Sequence, residues 1–132
     1  MTTQHPSIER LEQEALPSRR RLVEKELLVP GSILVATLGL DQAWLDDAVG
    51  RDALFSLAVD NVLYFPAFYA HPAFDRSELE SISEVLGNLP GWAKWMFFMR
   101  RNEGLGGLSP LEALEQGRID AVLGAAHSYL GR

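Results

Sequence analysis

The sequence predicts a mostly α-helical fold with one short β-hairpin, and three observations lead to this expectation. Apolar residues recur at helical spacing in several segments of the 132-residue chain. Residues 55–59 instead alternate apolar and polar side chains, and an Asp-Asn pair follows them. Glycine or proline separates the segments, as is typical between secondary-structure elements. With 47% hydrophobic residues, the chain can build a core.

The N-terminal residues are predicted to form two helices. Ser7 can cap the first helix, and Pro17 ends it. The second helix runs from Ser18 to Pro30-Gly31. Its inward side chains are Leu22, Val23 and Leu27. Its outward basic run, Arg19 to Arg21, has two interpretations, a solvated helix start or a phosphate contact.

Two shorter helices are predicted next, in a helix-turn-helix-like order. Ser32 caps the first, Gly39 makes the turn, and Asp41 caps the second. Val35, Gly39 and Leu45 have the spacing of a packing residue, a turn glycine and a second-helix core residue. The spacing therefore favours a helix-turn-helix-like N-terminal part.

The hairpin is predicted from alternation and turn chemistry. Phe55, Leu57 and Val59 share one face, and Asp60-Asn61 forms a two-residue turn before the returning strand at residues 62–65. Two helices followed by a hairpin is the order of a winged helix.

The remaining residues are predicted to be helical. Asp75 caps a helix in a capping box with Glu78, and that helix ends at Gly87-Asn88. The next helix has an apolar face formed by Trp92, Trp95, Met96 and Met99. A short helix then begins at Ser109-Pro110, closes a capping box with Glu112, and ends at Gly117. A final amphipathic helix runs from Ile119 to Leu130.

This order of elements carries a family resemblance. A Trp-containing helix, the segment LGGLSPLEAL, a glycine and a closing amphipathic helix together resemble the toxin-binding domain of Xre/MbcA/ParS-type antitoxins. The resemblance is best over residues 55–132. It implies a helical toxin-binding domain at residues 67–132, after a helix-turn-helix-like part with the hairpin at residues 1–66. It also implies a cognate toxin as partner, often a RES-domain enzyme that consumes NAD.

The candidate toxin contacts come from the last third of the chain. Tryptophan, tyrosine and arginine are the side chains that dominate binding hot spots, and this part is rich in them. The resemblance further implies that the final helix and its end reach toward the active-site cleft of the toxin. The predicted contacts are Trp92, Trp95, Arg100, Arg101, His127, Tyr129 and Arg132. The alternative for the aromatic residues is that they form the core.

Enzymatic chemistry is not expected, and neither is a cofactor or a metal. The chain has no cysteine, and its three histidines lack a metal-ligand spacing. A glycine-rich segment at residues 104–107 precedes a helix, but it lacks the preceding strand and the lysine of a phosphate-binding loop. An inter-helix turn is the simpler interpretation.

The distribution of charge argues against strong DNA binding. The net charge is −6, and residues 41–60 hold five aspartates against one arginine. The candidate recognition helix would bring these carboxylates toward a negatively charged groove. The candidate DNA contacts are Arg19, Arg20, Arg21, Gln42 and Arg51. DNA binding is therefore expected to be weak or absent.

The resulting prediction is a non-enzymatic antitoxin-like protein that occludes the active site of a toxin. Two alternatives remain, a DNA-binding transcriptional regulator and a homo-oligomeric adaptor without a toxin. The N-terminal residues lack the apolar stretch of a signal peptide, and no apolar run reaches membrane-spanning length. A cytoplasmic protein without a membrane partner is expected.

Self-association is the first testable expectation. A helix as apolar as residues 92–99 has limited interior to enter in a 132-residue protein, so a homodimer or higher oligomer should form through it or through residues 75–86. Light scattering at tens of micromolar should report at least a dimeric mass. A strictly monomeric mass would refute the expectation.

Overall fold

The computed structural model describes residues 18–131. The predicted helix cap Ser7, the predicted stop Pro17 and the predicted contact residue Arg132 lie outside the described residues. The described part is mostly helical and contains a small antiparallel sheet, which confirms the predicted fold class.

The elements follow one another closely along the chain. The helices are α1 (residues 18–24), α2 (Gly31–Leu38), α3 (Gln42–Gly50), α4 (Arg76–Leu86), α5 (Gly91–Met99), α6 (Pro110–Glu115) and α7 (Ile119–Leu130). The strands are β1 (Leu28–Pro30), β2 (Leu57–Val59) and β3 (Val62–Pro66). Two 3₁₀ turns lie at Ala67–Ala70 and Glu103–Leu105.

The sheet contains one strand that the sequence pattern does not indicate. The predicted continuation of the second helix to Pro30 is wrong, because the helix ends at residue 24 and residues 28–30 form β1. Glu26, with φ of 60°, helps to reverse the chain, and β1 then pairs antiparallel with β3. Strand β3 lies between β2 and β1, so its second edge offers hydrogen bonds that outweigh local helix propensity.

Most predicted turns and caps are confirmed. Asp60 and Asn61 have φ of 51° and 66°, the left-handed values that a two-residue hairpin turn requires. The Asp41 side chain accepts from the Trp44 N–H, and the capping box of Ser109 and Glu112 is complete. The predicted cap at Ser32 is wrong, since α2 begins at Gly31.

Asp75 does cap α4, but its carboxylate accepts a hydrogen bond from the Ser77 N–H at 2.9 Å. The box predicted with Glu78 is not formed in this cap. Gly87, with φ of 68°, ends α4 as predicted.

Helix α5 does not bury the whole of the apolar face that the periodicity indicates, which is formed by Trp92, Trp95, Met96 and Met99. In the structure Trp92 and Met96 are half-buried and Met99 is exposed. The side chains that α5 buries are Lys94, Trp95, Phe97 and Phe98. The helix is therefore rotated about its axis relative to the predicted face.

The inner face of α5 lies against residues 52–57. At its start, a Cβ atom on Gly91 would overlap the carbonyl oxygen of Ser56. At its end, the Phe98 ring stacks on Phe55 with centroids 5.9 Å apart and an interplanar angle of 8°. Trp95 stacks on Phe68 at 5.8 Å. This contact joins α5 to the 3₁₀ turn that follows β3, and the buried apolar side chains on both sides of residue 66 belong to one cluster.

The close approach at Gly91 gives a stability prediction. We expect Gly91→Ala to lower the free energy of unfolding by roughly 1–3 kcal/mol or more, because a methyl group cannot enter without displacing backbone. Urea denaturation followed by circular dichroism measures the change.

The matched control is Gly124→Ala within α7, where an added Cβ meets nothing within 4 Å. Helix propensity should there raise the free energy of unfolding by about 0.5–1 kcal/mol. Equal effects at the two glycines would contradict the proposed docking of α5.

Candidate functional site

A groove lies between the C-terminal end of α5 and helix α7. Its volume is about 790 Å³. One side is formed by Met96, Phe97 and residues 100–104, and the other by α7. Helix α7 reaches this position because it packs against α4, α6 and the second 3₁₀ turn. The groove is therefore built by elements that the rest of the C-terminal part holds in place.

Small side chains form the α7 side of the groove. Ala121, Gly124, Ala125 and Ser128 recur at the spacing of one helix face. Tyr129 completes this side, and its ring meets Phe97 edge-on with centroids 5.3 Å apart. Small residues allow another backbone or a flat group to approach a helix closely, while Tyr129 supplies a large, half-buried contact surface.

Two arginines and Glu103 form the charged rim of the groove. Arg100 is the C-cap residue of α5 and has extended backbone, and Arg101 follows it. Both side chains are exposed, and neither forms an ion pair with another residue between 18 and 131. Hydrogen bonds from Ser109 lower the pKa of Glu112, and the positive charge of Arg101 lowers it further. Arg101 therefore lies close to the start of α6.

The structure brings together three of the seven predicted toxin contacts, namely Arg100, Arg101 and Tyr129. Trp95 is 4% exposed and belongs to the core, so it supports the fold from within. Trp92 is half-buried beneath the guanidinium of Arg19, whose Cζ atom lies 4.7 Å from the ring centroid. His127 is exposed on α7 but does not line the groove.

The glycine-rich segment is a closed turn. The Gly104 N–H donates to the Asn102 side chain at 2.8 Å. The N–H groups of residues 105–108 all donate to carbonyl oxygens of residues 102–105, and the Asn102 N–H closes the loop onto Leu108. A phosphate-binding loop needs free N–H groups that point at the anion. The hydrogen bonding favours the interpretation as an inter-helix turn.

The candidate DNA contacts are largely held by acidic side chains. Arg20 pairs with Asp60 at 2.7 Å, and Arg51 pairs with Asp47 at 2.8 Å and Glu84 at 3.0 Å. The Gln42 amide donates to Asp46 within its own helix. Arg19 covers Trp92, and Arg21 is exposed. Four of the five candidate residues therefore already contact another side chain.

Lys94 is a buried cation for which the sequence pattern predicts no role. Its side chain is 2% exposed. The Nζ atom donates to the Ser83 carbonyl and hydroxyl oxygens, both at 3.0 Å, and to the Asp52 carbonyl at 3.3 Å. Three donors of an ammonium group thus meet three acceptors. Burial lowers the pKa of Lys94, and the negative charge of Asp52 partly offsets this effect.

A lysine with a lowered pKa is a candidate catalytic group when it faces a cleft. Lys94 does not line the groove between α5 and α7, so its position indicates a structural link between α4, α5 and the turn at Asp52. Between residues 18 and 131, no group of three or more His, Asp or Glu side chains could hold a metal ion.

Comparison of the chain with models of known protein families, with curated proteins and with solved structures finds no match. Within residues 18–131, none of the helices combines the length and the apolar character that crossing a membrane requires.

Lys94 gives a prediction about the pH dependence of stability. Its folded-state pKa lies below the ordinary value of 10.5, so the unfolded chain binds the proton more tightly. The free energy of unfolding should therefore rise through this group as pH increases from the folded pKa toward 10.5. In Lys94→Met this rise is absent, and at neutral pH the variant should be roughly 1–3 kcal/mol less stable than the original chain, because the Ser83 and Asp52 oxygens lose a charged donor.

Lys94→Ala serves as the control because it removes the same charge but leaves a cavity. It should be roughly 2–3 kcal/mol less stable than Lys94→Met. Urea denaturation across the pH range measures both variants. Equal destabilisation by methionine and alanine would contradict this account, because the packed stem would then add nothing to the hydrogen bonds.

Proposed function

We propose that this chain is a non-enzymatic, antitoxin-like protein that binds a partner toxin in the cytoplasm and covers its active site. The observation that carries the proposal is the convergence of Arg100, Arg101 and Tyr129 on the α5–α7 groove. These residues come from two elements far apart in sequence. All three are among the contacts predicted from residue type, and Tyr129 also lies in the final helix that the resemblance to Xre/MbcA/ParS-type antitoxins implies as a toxin contact.

The chemistry of the groove supports a protein partner. Exposed guanidinium groups can form two parallel hydrogen bonds with a carboxylate, and arginine and tyrosine are frequent hot-spot residues. The small side chains of α7 leave room for a segment of the partner to enter beside Tyr129. We therefore expect the toxin to place an acidic side chain against the arginine pair. A RES-domain enzyme that consumes NAD is the partner class that the resemblance implies.

The test begins with the native complex, because the partner is identified by its co-purification with the tagged full chain and by mass spectrometry. The double variant Arg100→Glu/Arg101→Glu should weaken binding at least about tenfold, since it places like charges at the contact. The activity of the partner enzyme should then no longer be inhibited. The matched control is Arg21→Glu/Lys25→Glu, which changes the net charge equally at two exposed positions outside the groove.

A second variant tests the groove without changing charge. Gly124 has open space where its Cβ would stand, so Gly124→Leu should project into the groove while the fold persists. Loss of partner binding, with thermal stability at least equal to that of the original chain, supports the proposal. Full partner binding by both the glutamate and the leucine variants would overturn it.

A further inference from the structure

A second groove lies between α3 and β3, and it shares no lining residue with the α5–α7 groove. Its volume is about 460 Å³. Leu45 and Phe65 are buried at its lining, while Leu63 is 58% exposed and Val49 is 38% exposed. The apolar surface thus remains open to solvent.

The polar surroundings of this groove are acidic. Asp46 lines it, and Asp41 and Asp47 are exposed at α3. None of its ten described lining residues is lysine or arginine. Arg51, at the end of α3, is engaged by Asp47, Glu80 and Glu84 at 2.8, 3.8 and 3.0 Å. The groove therefore combines exposed apolar side chains with negative charge.

Charge decides which occupant fits. A nucleic acid would meet repulsion from the aspartates. A second copy of the chain related by a two-fold axis would place the same acidic patch against itself, which like charges oppose. A segment with an apolar face and flanking lysine or arginine satisfies both the exposed Leu63 and the carboxylate of Asp46.

We propose that the α3–β3 groove binds a basic amphipathic segment of a partner protein. The apolar side chains of that segment contact Val49 and Leu63, and its cations lie by Asp46. This contact does not depend on the function proposed for the α5–α7 groove, because the two grooves have separate linings.

The test uses the full chain labelled with ¹⁵N and a synthetic helical peptide with leucine on one face and lysine on the other. Binding should shift the amide resonances of Val49, Gly50 and Leu63 and should weaken with added salt. Leu63→Ser should lower the affinity roughly tenfold, because it removes one large apolar contact. Asp46→Lys should lower it by at least about as much.

The matched control is Ile33→Ser, at a side chain that is 52% exposed and lies outside this groove. The Ile33→Ser variant should bind the peptide with the same affinity as the original chain. Equal binding of a peptide with glutamate in place of lysine, or with serine in place of leucine, would overturn the proposal. Resonance shifts confined to the α5–α7 groove would also overturn it. A smaller oligomer for Leu63→Ser than for the original chain would also overturn it, because the groove would then bind a second copy of the chain.

Discussion

The docking of α5 onto residues 52–57 is the contact on which the rest of the structure depends. Gly91 lets the helix start directly on the Ser56 carbonyl, Lys94 donates to the Asp52 carbonyl one turn later, and Phe98 stacks on Phe55. These residues recur at the spacing of one helix face. A backbone contact, a buried cation and an aromatic stack therefore fix both the rotation and the position of α5. Each alone would allow the helix to slide or turn.

This docking explains why the α5–α7 groove has a defined shape. The inner face of α5 packs against residues 52–57. The C-terminal end of the helix therefore places Arg100 and Arg101 beside α7. The closed turn at residues 102–108 then leads the chain into α6 and fixes the start of α7. The two grooves also differ in electrostatic character, since two arginines and Glu103 border one, while Asp46 is the only charged residue among the described residues that line the other.

Local chemistry made the helix ends and the hairpin predictable from the sequence. Asp41, Ser109 and the Asp60-Asn61 pair each act through neighbours a few residues away, so their roles can be derived without the fold. Strand β1 could not be derived in this way, because it forms only by pairing with β3. Val29 pairs with Phe65, which lies 36 residues further along the chain.

The inner face of α5 could not be predicted for another reason. The helix is apolar nearly all round, so hydrophobicity does not single out one face. Gly91 and Lys94 lie on the inner face, although neither residue type is expected in a core. Of the site, Arg100, Arg101 and Tyr129 were predicted by residue type, whereas the small residues of α7 were not.

Hydrogen–deuterium exchange of the native complex tests most directly the claim that this protein acts through the α5–α7 groove. Compared with the free chain, the complex should show slower exchange at residues 100–104 and in the second half of α7. The amides in the inner turns of α5 should change little, because the core already protects them. Protection confined to α3 and the hairpin, with none at residues 100–104 or in α7, would contradict the account.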